Sequence, residues 1–294
     1  MKIIILGCQS QIGLLFKKDH ERFQFNKFNK KQFDITNIDS VNKILKEIKP
    51  NIIVNTAAFT DVDLAEIKVD EAFKINSNGP KNLAKIASEI NAYLIHFSTD
   101  YVFDGNKNDL YNEKDEVNPI SIYGKSKLEG EKNILSYHDK YIILRISWLY
   151  GAHKNNFVTQ ILDLLTKGKK LKVIDDQFSK PTSSFDIYNI LIKILNYIEK
   201  GYNKKNIFNF SGEGKPISRF DFAKKIGNLY KENNDLNFSI LPIKSEFYYK
   251  TQIRPKYSAL NCDKIYKEFK IDPINWKYSL ENTINEIKMK NLLS

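Results

Sequence analysis

The chain has 294 residues, of which 42% are hydrophobic and 13% aromatic, enough for one large α/β domain or two smaller domains that share a cleft. Its formal net charge of +11 comes mainly from scattered lysines, since the arginines are only Arg22, Arg145, Arg219 and Arg254. Nucleic-acid sites usually cluster arginines among aromatic residues, so the composition argues against a nucleic-acid partner.

Apolar runs and cysteines restrict the location of the protein. No run approaches the length of a signal peptide or a membrane span, which predicts a soluble chain with no membrane partner. The two cysteines, Cys8 and Cys262, form neither a disulfide framework nor a metal-ligand spacing. Together these features predict a cytoplasmic protein without a bound metal.

The first predicted unit is a strand, Lys2–Leu6, followed by a glycine-bearing turn, Gly7–Gly13, and the start of a helix. In a dinucleotide-binding fold, the helix N-terminus and free backbone N–H groups of such a turn face a pyrophosphate. Ser10 occupies the middle position, where glycine is more common. Its Cβ restricts the approach of a phosphate, while its hydroxyl offers a hydrogen bond instead. A strand–turn–helix unit without a ligand is the alternative interpretation.

The charge at the end of the second predicted strand, Arg22–Phe28, indicates which dinucleotide binds. A carboxylate there would accept a hydrogen bond from the 2′-hydroxyl of NAD, whereas cations suit the 2′-phosphate of NADP. In place of a carboxylate the sequence offers Asn26, Lys27, Asn29, Lys30 and Lys31. We therefore predict NADPH as the cofactor, with NADH as a second acceptable one. The same lysines are nearly as well explained as solvated loop residues.

Strands and helices alternate as far as residue 151. The predicted helices begin at 34–37 (ending near Lys49), at Val69 (ending at Ile90 and containing Asn76) and at Tyr123 (ending at Leu135). The predicted strands between them are 51–55, 93–97 and 141–146. This alternation predicts an α/β fold with a Rossmann-type doubly wound parallel sheet, which binds ligands at the carboxyl ends of its strands.

Beyond Gly151 the alternation loosens. Helices are predicted at 156–167, 184–200, 218–230 and 278–289, and strands at 171–174, 207–210 and 238–241. We expect a dinucleotide-binding domain of residues 1–152, to which roughly 184–210 return. A smaller α/β C-terminal substrate-binding domain is expected to comprise residues 153–183 and 211–294.

The candidate catalytic residues lie after the fourth strand. Tyr123 and Lys127 are spaced i, i+4 on a predicted helix, which places both side chains on one face. A lysine beside a phenol lowers the pKa of the phenol, so Tyr123 is predicted to exchange a proton near neutral pH. Thr99, at the end of an apolar run, is placed to hydrogen-bond the same substrate oxygen. By itself the spacing also arises by chance in a chain rich in both residues.

These motifs together resemble the extended short-chain dehydrogenase/reductase family. The most specific match combines Ser98–Phe103 (Ser-Thr-Asp-Tyr-Val-Phe) with Tyr123–Lys127 (Tyr-Gly-Lys-Ser-Lys). Further matching stretches are 7–13, 34–37, 55–66, 145–151, 155–157, 176–182 and 254–255. The resemblance implies NAD(P)H-dependent reduction of the C4 keto group of a nucleotide-activated deoxy sugar, first of all dTDP-4-dehydro-L-rhamnose to dTDP-L-rhamnose.

The resemblance also implies a role for individual residues. Tyr123 would protonate the carbonyl oxygen, Lys127 would hold the nicotinamide ribose, and Thr99 would hydrogen-bond the carbonyl. The remaining implied cofactor-binding residues are Gly7, Ser10, Gln11, Ile12, Gly13, Asp34, Ile35, Ala57, Ala58, Phe59 and Asn76. The implied substrate-binding residues, besides Thr99, are Asp100, Trp148, Asn156 and Arg254, the last of which is equally well explained by a surface ion pair.

Three points stay open on sequence grounds. Some family members dimerise around magnesium held by glutamates on the first and last helices. Here Leu14–Phe16 is apolar, so we predict no such metal and a monomer or weak homodimer. The sequence does not decide which sugar is reduced, and a reductase that forms a 6-deoxy-talose is an alternative. A non-catalytic regulatory homologue of the same fold is a second alternative, although Thr99, Tyr123 and Lys127 together argue against it.

Overall fold

The computed structural model describes residues 1–17, 20–231, 239–248 and 254–293. The strands are β1 (Lys2–Leu6), β2 (Gln24–Phe28), β3 (Ile52–Asn55), β4 (Tyr93–Thr99), β5 (Tyr141–Ile146), β6 (Leu149–Tyr150), β7 (Leu171–Ile174), β8 (Phe178–Ser179), β9 (Thr182–Ser183), β10 (Asn206–Phe210), β11 (Ile217–Ser218) and β12 (Ile240–Ile243). The helices are α1 (Ile38–Ile48), α2 (Val62–Ile67), α3 (Val69–Phe73), α4 (Gly79–Glu89), α5 (Ile122–Tyr137), α6 (Phe157–Thr166), α7 (Ser184–Glu199), α8 (Arg219–Lys231), α9 (Ser245–Tyr248), α10 (Asp263–Phe269) and α11 (Trp276–Leu293).

The central sheet has six parallel strands in the order β10-β5-β4-β3-β1-β2. The chain leaves β1 toward β2 on one side and then crosses back to β3 on the other, so the topological switch point lies between β1 and β3. Ligands of open α/β sheets bind in the crevice beyond the carboxyl ends of the strands at such a point. The predicted Rossmann-type doubly wound fold is confirmed.

Helices cover both faces of this sheet, as its apolar strands require. In β1, Ile4 and Leu6 pack against a core that includes residues of α1 and α4. Ile3 and Ile5 point to the other face, where they share a core with residues of α7 and α10. The sheet is therefore a rigid, buried scaffold whose strand ends hold their side chains in fixed positions.

A third core lies in the C-terminal region. Residues of α6, α8 and α11 pack with β7, and Phe222 and Trp276 lie in edge-to-face contact with ring centroids 5.9 Å apart. The helix α10 packs on the sheet with α7 and β10, although the predicted boundaries place it in the substrate-binding domain. The division of the chain into two domains stays a prediction.

The helix whose start is predicted after the Gly7–Gly13 turn is short in the structure. Only a short 3₁₀ turn, Gly13–Leu15, follows, and at Phe16 the backbone is extended with the ring fully buried in the core. The polar run that begins at Lys17 has no apolar face to pack a longer helix onto the sheet.

Elsewhere α1 begins after Asn37, which accepts a hydrogen bond from Ser40 N as its N-cap. Of the predicted strand 238–241, Phe238 lies outside the described residues.

Candidate active site

The carboxyl ends of the central strands open into a cleft of about 770 Å³ whose opposite wall comes from the C-terminal region. The predicted site residues that line it are Gly7, Ser10, Gln11, Ile12, Asp34, Ile35, Ala57, Ala58, Phe59, Thr99, Asp100, Tyr123, Lys127, Trp148 and Asn156. Gly13, Asn76 and Arg254 lie outside this lining. One cleft thus collects residues that are far apart in the sequence.

The turn after β1 is held by its own side chains. Gly7 has φ of +75°, and a Cβ there would lie 2.6 Å from Ala57 N, so only glycine fits. The Ser10 hydroxyl donates to Thr56 Oγ1 at 2.8 Å and accepts from Gly13 N at 2.9 Å. Serine in place of the middle glycine therefore ties the turn to the loop after β3, and its hydroxyl is already engaged.

Two backbone donors of this turn, which lines the cleft, are not used within the protein. Among the described residues, the backbone N–H groups of Gln11 and Ile12 have no hydrogen-bond partner. The Gln11 side-chain nitrogen also has none, but it is fully buried and so does not face the cleft. Successive backbone N–H groups suit an anion such as a phosphate.

Asn76 acts on the loop after β3 rather than on the cleft itself. It is buried in a single π-helical turn, Lys74–Asn78, that interrupts the helix formed by α3 and α4. Its amide accepts from Phe59 N at 2.8 Å and donates to Phe59 O at 2.9 Å and Ser126 Oγ at 3.0 Å. A π turn often marks a functional position in a helix. Here the π turn orients Asn76 so that its side chain bonds both the loop after β3, at Phe59, and α5, at Ser126.

The far end of the cleft is lined by residues that follow β2. Asp34 Oδ1 accepts from Thr36 N at 2.9 Å and from Thr36 Oγ1 at 2.8 Å, a turn that leads into α1. Lys30 lines the cleft, whereas Lys31 is exposed outside it. The two lysines are thus neighbours in sequence but differ in their access to a ligand.

Tyr123 is brought to Thr99 by the close approach of α5 to the end of β4. A Cβ on Gly124 would lie 2.2 Å from Tyr101 O, so glycine is needed beside the tyrosine. Burial raises the pKa of Tyr123 above its usual value, while a side-chain hydrogen bond with Thr99 opposes the rise and Asp100 and Tyr101 add to it. The phenol is therefore protonated at neutral pH.

Lys127 contacts β4 in the structure. Its Nζ donates to Phe97 O at 2.5 Å and lies 3.4 Å from His96 Nε2, so it is turned toward the sheet. Burial lowers the pKa of Lys127 to about 8, and Glu131 opposes this shift. Burial dominates the pKa of Tyr123 and raises it. The predicted action of Lys127 on the phenol stays a prediction.

Asp100 is a buried carboxyl beside the candidate proton donor. Its oxygens accept from Ser258 Oγ at 2.6 Å and from Thr99 Oγ1 at 3.1 Å. Burial raises the pKa of Asp100 to about 6. Hydrogen bonds from Ser258 and Thr99 and the positive charge of Arg219 lower the pKa but do not offset the burial. This carboxyl therefore titrates close to neutral pH.

Arg219 is a cleft residue that the sequence analysis did not assign. Its guanidinium stacks over Trp148 at 4.4 Å and approaches the Tyr101 hydroxyl at 3.4 Å and Gln177 Oε1 at 3.3 Å. Trp148 itself has φ of +42°, a strained conformation for a non-glycine residue. The available signal was that Arg219, one of four arginines, stands at the start of a predicted helix.

Comparisons with known proteins agree on one family. The sequence profile described as "RmlD substrate binding domain" matches residues 1–289. The dTDP-4-dehydrorhamnose reductase of Aggregatibacter actinomycetemcomitans is 38% identical over 290 residues, which cover 96% of this chain and 97% of its own length. The chain belongs to the RmlD family.

Two solved structures resemble the RmlD-family chain over nearly all of its length. A dTDP-4-dehydrorhamnose reductase from Clostridium acetobutylicum is 37% identical with a TM-score of 0.90, covering 98% of this chain and 100% of that one. The dTDP-4-dehydrorhamnose reductase of Bacillus anthracis, solved in complex with NADP, is 34% identical with a TM-score of 0.89. The match covers 97% of this chain and 100% of that one.

Two predicted substrate residues of this RmlD-family chain have structural partners. Asn156 is the N-cap of α6: its Oδ1 accepts from Val158 N at 3.0 Å, and its Nδ2 donates to Gly151 O at 2.8 Å. Arg254 forms an ion pair with Asp63. Substrate contact by either residue stays a prediction. No helix among the described residues is both long and apolar enough to span a membrane.

Proposed function

We propose that this protein reduces dTDP-4-dehydro-L-rhamnose to dTDP-L-rhamnose with NADPH. The observation that carries the proposal is that Tyr123 and Thr99 line one cleft together with the turn after β1. The relatives named above as dTDP-4-dehydrorhamnose reductases support this substrate, and the NADP complex of one of them supports the cofactor.

The residues of the cleft fit a dinucleotide. The backbone N–H groups of Gln11 and Ile12 would hold its pyrophosphate. Ala57 and Ala58 let a flat ring lie against the backbone, and Lys30 would hold the 2′-phosphate. When bound, NADPH supplies a hydride to C4 of the sugar.

Tyr123 is the general acid of the proposed reaction. Its hydroxyl donates a proton to the C4 carbonyl oxygen as the carbonyl carbon is reduced, and a phenol that burial keeps protonated suits this direction. Thr99 lines the same cleft and would orient the same carbonyl oxygen. Lys127, which lines the same cleft, would hold the nicotinamide ribose.

Arg219 and Trp148 form the substrate side of the cleft. A diphosphate carries negative charge, and guanidinium groups bind phosphate oxygens through paired N–H donors. Because Arg219 is oriented by stacking on Trp148, it is held in place before substrate enters. We infer that Arg219 binds the diphosphate of the sugar nucleotide.

The direct experiment is to mix the purified protein with dTDP-4-dehydro-L-rhamnose and to follow the oxidation of NADPH and of NADH separately. The proposal expects turnover with NADPH. The rhamnose assignment would be refuted if dTDP-4-dehydro-L-rhamnose is not reduced with either cofactor while 4-keto sugars linked to other nucleotides are reduced. Tight cofactor binding without turnover on any 4-keto sugar would instead indicate a non-catalytic homologue.

The cofactor preference can be tested at Lys30. Replacing Lys30 with Ala should raise the KM for NADPH by about tenfold and leave the KM for NADH nearly unchanged, because it removes one charge-assisted contact to the 2′-phosphate. Lys31→Ala is the matched control, since Lys31 has the same charge but lies outside the cleft lining. Equal changes in the KM for both cofactors would contradict the assignment of Lys30.

The role of Arg219 can be tested on α8. Arg219→Ala should raise the KM for the sugar nucleotide by roughly 10- to 100-fold, the range expected for losing a hydrogen bond to a charged group, with little change in the KM for NADPH. Lys224→Ala removes an exposed positive charge from the same helix and should leave both constants unchanged. An Arg219→Ala enzyme with an unaltered sugar-nucleotide KM would exclude a diphosphate contact.

We also propose that the protein works in the cytoplasm as a monomer or weak homodimer. Both cysteines are free thiols, which suits a reducing compartment. Light scattering across a range of protein concentrations measures the oligomeric state directly.

A further inference from the structure

A buried chain of hydrogen bonds connects the loop after β3 to Lys127. Ala57 N donates to Asn55 Oδ1 at 3.1 Å, Asn55 Nδ2 lies 3.1 Å from His96 Nδ1, and His96 Nε2 lies 3.4 Å from Lys127 Nζ. The side chains of Asn55, His96 and Lys127 are 1–2% exposed. The proposed reaction assigns no role to Asn55 or His96.

The direction of these bonds settles which nitrogen of His96 carries the proton. A backbone N–H only donates, so the Asn55 atom facing Ala57 must be the oxygen and the atom facing His96 must be the NH₂ group. His96 Nδ1 must then accept, which leaves the ring proton on Nε2. Burial and the charge of Lys127 hold the pKa of His96 well below its usual value, so the ring stays neutral.

This tautomer directs an N–H group at the amine of Lys127. An ammonium group has three donors and no lone pair, so it would face the His96 N–H donor to donor. A neutral amine would accept that bond and still donate to Phe97 O. Charged or titratable groups on the elements around Lys127 include Tyr123 and Glu131 on α5, Asp100 after β4, and Arg145 on β5, which is paired with Glu131. The other such groups of α5 are exposed or partly exposed: Lys125, Glu129, Lys132 and Tyr137.

We infer that Asn55 and His96 are positioning residues that lower the proton affinity of Lys127 and link it to the conformation of the loop at Ala57. For His96 Nε2 to accept from a Lys127 ammonium, its proton must move to Nδ1 and the Asn55 amide must turn over. That rotation removes the acceptor of Ala57 N–H in the loop proposed to hold the cofactor. Protonation of Lys127 therefore opposes the hydrogen bond that Asn55 makes to this loop.

The tautomer is testable without any assay of activity. The sequence contains four histidines, His20, His96, His138 and His153, so nitrogen-labelled imidazoles give a readable NMR spectrum. The signals of His96, assigned with a His96→Gln variant, should show a neutral ring protonated at Nε2 across the neutral pH range. A proton on Nδ1, or a cationic ring, would overturn the inference. Because the functional consequence rests on the proposed reductase, this measurement separates a failure of the relay from a failure of that function.

The consequence for Lys127 is testable with Asn55→Asp. The carboxylate keeps an acceptor for Ala57 N–H and offers a second one to His96, so the ring proton moves to Nδ1 and Nε2 accepts from the ammonium. The alkaline limb of the pH profile of kcat/KM should then move up by about one pH unit, a tenfold rise in proton affinity.

The added charge alone also raises the pKa of Lys127, so the same substitution is compared in a His96→Leu background. There the charge is kept and the imidazole relay is lost. A clearly smaller shift in that background supports the relay, and an equal shift in both backgrounds would overturn it. The titration of Lys127 in carbon-labelled lysine spectra gives the same comparison in protein that shows no turnover.

Discussion

Replacing Tyr123 with Phe should lower kcat by about 10²- to 10⁴-fold while leaving the affinity for NADPH nearly unchanged. The substitution removes one hydroxyl and little contact surface, and this is the range that a positioned general acid contributes. The half-buried ring, in edge contact with Tyr101 at 5.9 Å, keeps its packing as Phe. Steady-state kinetics give kcat, and fluorescence titration with NADPH gives the dissociation constant.

Tyr101→Phe is the matched control for this prediction. Tyr101 lines the same cleft, and its hydroxyl lies 3.4 Å from Arg219. Its removal should alter kcat by less than about tenfold, since the loss of an ordinary hydrogen bond corresponds to about 1 kcal/mol. If Tyr123→Phe stays active, or if Tyr101→Phe is the more damaged variant, the proton donor has been assigned wrongly.

Replacing Glu131 with Gln should lower the free energy of unfolding by about 3–5 kcal/mol, because it leaves a buried arginine without its counter-charge. Arg145 donates to Glu131 at 3.0 and 2.7 Å, and the two side chains are 4% and 2% exposed. The Ser98 hydroxyl donates to the same carboxylate. Urea denaturation followed by circular dichroism measures the change.

Two controls separate burial from charge in this second prediction. Asp163→Asn breaks an exposed pair with Lys167, whose side chains are 58% and 59% exposed, and should cost less than about 1 kcal/mol. Combining Glu131→Leu with Arg145→Met removes both charges and should recover most of the lost stability. A double variant as unstable as Glu131→Gln would contradict the assignment of the loss to an unpaired buried charge.

The sheet was predictable because its strands are short apolar runs buried on both faces. The predicted strands 2–6, 141–146 and 171–174 match β1, β5 and β7 end to end. Long helices were also found to within a few residues, since their apolar residues recur at the helical spacing. The two-residue strands were not predictable, because a pair of hydrogen bonds between distant loops leaves no pattern in the sequence.

The site was less predictable where a side chain has more than one use. The spacing of Tyr123 and Lys127 placed both on α5, but it could not show that the amine turns toward Phe97 O and His96. Asn156 matches a family stretch and yet caps a helix. Arg219 was missed because its position depends on stacking with Trp148, a contact between distant segments.

The most direct test of the proposed function is to identify the product that forms from dTDP-4-dehydro-L-rhamnose and NADPH deuterated at the transferable hydrogen. We predict dTDP-L-rhamnose with deuterium at C4 of the sugar, seen by NMR, and formation of this product by Tyr123→Phe that is slower by at least about 100-fold. A product with the 6-deoxy-talose configuration, or no deuterium at C4, would contradict the account.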